Sequence, residues 1–214
     1  VNARWGNLKA ILAGDFLLAK ASEIAASLGT EVAGLLAATI GKLCEGQILE
    51  LQHAFDLQRT EQAYLRSIDG KTASLLGTAC RVGAIVGGLP RPQIDAFTTF
   101  GNSFGMAFQI VDDLLDVTAT DEELGKPAGH DLVEGTYTLP VIRTLAAGGT
   151  MADELRSLLV KLAPTDGSIE PIDDPDTLAA ARSLLRSSPE VRGSLDTARA
   201  YVETGQRALA PYAG

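Results

Sequence analysis

The chain has 214 residues, 46% of them hydrophobic and 5% aromatic, with 18 basic against 27 acidic side chains for a formal net charge of -9. That length suits one or two domains with a substantial core, and the abundance of Ala and Leu favours helices over sheet. No basic stripe stands out, which argues against a nucleic-acid partner; an anionic substrate would need metal ions or a few well-placed lysines to overcome the acidic field.

Apolar residues recur at helical spacing nearly throughout and no run alternates as a strand would, so the expected fold class is all-α. The first three helices are expected at about 3–28, 31–53 and 60–88. Gly29 separates the first pair, and Gly87-Gly88 with Pro90 ends the third. Within the second, CEGQILELQ sets Gln47 and Glu50 one turn apart among apolar residues, with Glu45 on another face. Within the third, KTASL places Lys71 and Thr72 at the start of an apolar run. The lysine offers a point charge for phosphate and the hydroxyl a donor. Cys44 and Cys80 have no zinc-type spacing and are expected to be reduced core residues. Every apolar run is read as broken before the roughly 18 residues of a membrane span. With no signal segment either, no transmembrane segment and a cytoplasmic location are expected.

The fourth helix, at about 90–118, holds FQIVDDLLDV, Phe108 to Val117. On a wheel, Gln109, Asp112, Asp113 and Asp116 share one stripe, which Asn102 and Gly105 continue one turn back. Ile110, Val111, Leu114, Leu115 and Val117 cover the rest. An acidic solvent face is the simpler reading. Against it, the stripe contains no Lys or Arg, and the rest of the helix is apolar, as in a mostly buried helix whose stripe faces a polar cavity. Carboxylates at one-turn spacing are oxygen ligands suited to Mg²⁺, which keeps waters and substrate phosphates in its shell.

Residues 118–138, TATDEELGKPAGHDLVEGTYT, form the longest stretch without periodicity and follow the stripe directly. A loop of that length is more often functional than idle. Lys126 lies in it, between Gly125 and Gly129, which would let backbone approach a ligand. Further helices are expected at about 138–148, 151–162, 175–187 and 189–211. Asp173, Asp174 and Asp176, beside Pro171 and Pro175 in a polar loop, are expected to be solvated turn residues. An acidic stripe, separated lysines and apolar walls together describe a site for a diphosphate with a hydrocarbon tail.

FQIVDDLLD followed by GKPAGHDLVEG and TLP resembles the second aspartate-rich region of the trans-isoprenyl diphosphate synthases, the polyprenyl synthetases. NARWG, GDFLLAKA, GQILE and YLRSIDGKTASL extend the resemblance over all but the last 60 or so residues. It implies a single helical domain over 1–214, an isoprenoid synthase-type helical barrel around a deep central cavity, working as a homodimer. It also implies Mg²⁺-dependent condensation of an allylic diphosphate with isopentenyl diphosphate, 1'-4 and head to tail. Asp112 and Asp116 would be metal ligands, with Asp113 supporting. Lys71, Thr72, Gln109 and Lys126 would contact the allylic diphosphate, and Gln47 and Glu50 would line the cavity.

Two departures stand out. Thr136 occupies a place where many relatives carry a second lysine. The family's first DDxxD and the arginine pair after it have no counterpart here, so N-terminal helices are expected to lie upstream of Val1. By that reading the chain alone would not elongate prenyl chains. Two alternatives remain: a non-catalytic partner subunit of such a synthase, and a terpene cyclase of the same fold.

Overall fold

The computed structural model describes residues 1–125, 127–164, 172 and 174–212. All regular structure among them is helical. Lys126 and Asp173 lie outside the described residues.

The first expected helix is two: α1 (Asn2–Trp5) ends at Gly6 and α2 runs Asn7–Ser27. α3 (Thr30–Gln52) and α4 (Glu61–Ile68) follow, the latter capped by Thr60, whose hydroxyl accepts from the Ala63 N–H. The expected 60–88 helix is likewise divided. Asp69–Ala73 form a wider π-helical turn before α5 (Ser74–Val86). Such turns cost regular hydrogen bonding and occur often at functional sites. α6 (Arg91–Thr118) is the longest helix, and Pro92 in its first turn needs no N–H partner. The expected loop contains two single-turn helices, α7 (Asp121–Leu124) and α8 (His130–Val133). α9 (Leu139–Ala147), α10 (Gly149–Leu162), α11 (Pro175–Ser187) and α12 (Pro189–Leu209) complete the chain, with a final 3-10 turn at Ala210–Tyr212.

α6 is the axis, packed between α5 and α12. Small residues set how close its neighbours come. A Cβ at Gly105 would lie 2.5 Å from the Ala73 Cα, so only glycine permits this approach of α6 to the wide turn. A Cβ at Gly46 of α3 would sit 2.5 Å from the Lys71 nitrogen. These two contacts bring Gln109 beside Thr72 and Glu50 beside Lys71, one turn further along each helix. The core combines Ile110, Leu114 and Val117 of α6 with Leu139, Leu155, Leu159 and Leu185 from the C-terminal half. α11 closes the end of α6 through charge. Arg186 donates to the Val117 and Ala119 carbonyls and Arg182 to Ala119, placing cations at the negative end of the helix.

Three expectations are corrected. Cys44 is exposed and Cys80 half-buried, both as free thiols, because α3 presents Cys44 away from its neighbours. α3 is long and apolar enough to cross a membrane by length and composition. It packs on α2, α4, the wide turn and α5, so the same apolarity also serves helix packing. α6 is not mostly buried: Phe104, Phe108, Val111 and Leu115 form an exposed row, as do Leu8, Ile11, Leu12 and Phe16 on α2.

Candidate active site

A polar pocket lies where α3, α4, the wide turn and α6 meet, roofed by the segment after α8. Two hydrogen-bonded sets build it. In the first, the Lys71 ammonium donates to Glu50 Oε1 at 2.7 Å, and the Gln47 amide donates to the same oxygen at 3.3 Å. In the second, Thr72 donates to Gln109 Oε1 at 2.7 Å, Gln109 Nε2 to Asp113 Oδ1 at 2.8 Å, and the Tyr64 hydroxyl to Asp113 Oδ2 at 2.6 Å. The order of donors is settled end to end, because an ionised carboxylate only accepts. It fixes the Gln109 amide with its carbonyl toward Thr72.

The aspartate stripe does not behave as one unit. Asp113 is 5% exposed and Asp116 4%, whereas Asp112 is exposed. Burial pushes the Asp113 carboxyl up to about 6, against the hydrogen bonds from Tyr64 and Gln109, which pull it down. Asp116 accepts the His130 and Asp131 backbone N–H groups at 3.3 and 3.1 Å, and its own carbonyl accepts the Gly129 N–H at 2.8 Å. It therefore anchors the segment that carries Asp131, whose carboxyl is pushed up to about 8 by burial and by Asp113, Asp116 and Asp112. Asp112 has no hydrogen-bond or ion-pair partner among the described residues.

Gln47, Glu50, Lys71, Thr72, Gln109 and Asp113 thus converge, Asp116 braces the neighbouring segment, and Asp112 faces outward beside them. The sequence reading passed over Tyr64, Arg59 and Asp131. Tyr64 carried a signal: with Ile68 and Lys71 it makes a 4-then-3 spacing on one helical face. Arg59 and Asp131 carried none, since both lie in or beside irregular segments.

The polyprenyl synthetase family model matches residues 1–171. The chain belongs to the polyprenyl synthetase family. It is 37% identical over 209 residues to nonaprenyl diphosphate synthase of Mycobacterium tuberculosis, covering 98% of this chain and 60% of that protein. To heptaprenyl diphosphate synthase component 2 of Geobacillus stearothermophilus it is 35% identical, over 95% of this chain and 60% of that one. A solved polyprenyl synthase from Caulobacter crescentus, in complex with calcium and isoprenyl diphosphate, superposes with TM-score 0.86 at 31% identity, covering 98% of this chain and 62% of that one. The chain therefore spans about 60% of the length of these two curated relatives. The all-α isoprenoid synthase fold is shared with these structures.

The chain's site fits Mg²⁺ in kind rather than in number. Its carboxylates are hard oxygen donors, but no group of three or more His, Cys, Asp or Glu among the described residues converges to hold a metal. Asp112 is uncommitted, and each Asp116 oxygen keeps a lone pair beyond its backbone contact. Such a pair suits a cation that brings other oxygen ligands with it.

Proposed function

We propose that this chain forms part of a prenyltransferase that condenses an allylic diphosphate with isopentenyl diphosphate, 1'-4 and head to tail. The observation that carries the reading is that Lys71 and Gln109 line one polar pocket, with Thr72 hydrogen-bonded to Gln109 and with Asp112 one residue before the pocket's Asp113. Lys71 presents a point charge to a phosphate oxygen from the wide turn, while Glu50 holds its ammonium in place. Thr72 and Gln109 are oriented by the chain of donors that ends on Asp113. Asp112, with Asp116, would hold Mg²⁺, which when bound offsets charge developing on a leaving diphosphate. Lys126 would join this cluster as a further diphosphate contact. The bared apolar rows on α2 and α6 suit association with another chain, a second copy in a homodimer being the simplest. The relative called component 2 favours a second reading, in which a different subunit supplies the partner.

The test is incubation of the whole protein with Mg²⁺, an allylic diphosphate and labelled isopentenyl diphosphate. Labelled, longer trans-prenyl diphosphates are expected. Lys71→Met, which keeps most of the stem and removes the charge, should lower kcat/KM for the allylic substrate by about 10- to 100-fold. Absence of elongation, or full activity in Lys71→Met, would sink the proposal.

A further inference from the structure

One charged side chain of the pocket has hydrogen-bonding capacity that nothing else uses. Arg59 sits in the connection between α3 and α4, just before the Thr60 cap, and is 5% exposed. Its Nη1 donates to the Tyr137 carbonyl at 2.9 Å, and its guanidinium carbon lies 5.6 Å from the centre of the Tyr64 ring. Nε is buried with no hydrogen-bond partner among the described residues. No carboxylate among them lies within ion-pair distance of Arg59, so Glu50 and Asp113 reach it only as more distant charges.

That arrangement is costly for a purely structural residue. A buried guanidinium stays charged, and a buried charge without a direct counter-ion costs several kcal/mol. An apolar side chain would fill the same space at no such cost. The other cation among the described residues of the pocket, Lys71, is already matched by Glu50 at 2.7 Å. Thr136 also lines the pocket and brings a hydroxyl without charge. Arg59 is therefore the pocket's cation without a direct ion pair among the described residues, on a planar group with donors to spare, although Glu50, Asp113, Asp131 and Glu134 line the same pocket. A doubly charged, multi-oxygen anion is the ligand such a group suits, because the guanidinium fork matches phosphate geometry.

We infer that Arg59 is a further diphosphate-binding residue, its uncommitted N–H groups donating to a phosphate oxygen of the ligand held by Lys71 and Thr72, while Tyr137 and Tyr64 fix its plane. The inference rests on the prenyltransferase reading. Binding of inorganic diphosphate with Mg²⁺ to the chain, by calorimetry, tests it without requiring turnover. Arg59→Lys keeps the charge and loses the fork, and should weaken binding about tenfold; Arg59→Gln should weaken it more. Circular dichroism and Tm of each variant report whether the fold survives. Should neither variant fold, selective labelling of arginine Nε in the wild type decides, with a solvent-protected Nε–H expected to shift when diphosphate is added. Unchanged affinity in the folded variants, or no shifted signal, overturns the role of Arg59 alone. A wild-type chain that binds no diphosphate overturns both this role and the prenyltransferase reading.

Discussion

The two sides of α6 are built by opposite rules. On one, Gln109, Asp113 and Asp116 are each tied to a neighbour, so that both carboxylates the helix buries accept hydrogen bonds. On the other, Phe104, Phe108, Val111 and Leu115 stand bare, Phe108 at 53% exposure, and Phe104 touches only its helical neighbours Phe100 and Phe108 among the aromatics. Leaving a buried carboxylate unpaired costs far more than leaving a phenyl ring in water, which explains why Asp113 and Asp116 find their partners within the chain. The bare side has unspent apolar surface, the kind that another protein surface covers.

The largest effect should come from the residue that the polar side leaves free. Asp112→Ala is expected to lower turnover of the whole protein by about 100-fold or more, since it would remove one of the two proposed Mg²⁺ ligands. Its Tm should hardly move, because the side chain is exposed and has no partner among the described residues. A large Tm loss with intact turnover would mean that Asp112 is structural and the division of the stripe is wrong. Tyr64→Phe probes the opposite case. At pH 7 it should cost about 2 kcal/mol, as a hydrogen bond to a charged group is lost. The Tyr64 bond favours the ionised Asp113, whose carboxyl titrates near 6. Without that bond the Asp113 carboxyl is raised further, so the cost is full only at pH above that higher value and shrinks as pH falls through 6. Urea unfolding at pH 5 and pH 8 measures the difference, and an equal penalty at both would remove Asp113 from the interaction. Smallest for folding should be Phe108→Glu on the bare side, within about 0.5 kcal/mol as at other surface positions. It should nonetheless reduce self-association in sedimentation, or the bare row is not an interface.

Much of this was legible in the residues themselves. Helical periodicity located the eight expected helical stretches, two of which the structure divides, and one-turn spacing placed Gln109 and Asp113 on a common face, as it did Gln47 and Glu50. These are local consequences of 3.6 residues per turn. The wheel could not say which aspartate would be buried. Asp112, Asp113 and Asp116 share an arc, and only the packing of α4 and the residue 127–138 segment onto part of it separates them. The wide turn at Asp69–Ala73 was equally hidden, because it answers the close approach of Gly46 and Gly105 rather than any propensity of DGKTA. Sequence alone thus determined the class of fold and the kinds of ligand the chain's carboxylates and lysines suit. Tertiary structure alone decided which carboxylate stays free, which one braces the neighbouring segment, and that Arg59 and Tyr64 join the site. Those outcomes depend on which distant segments exclude water from a given side chain, and helical spacing carries no record of that.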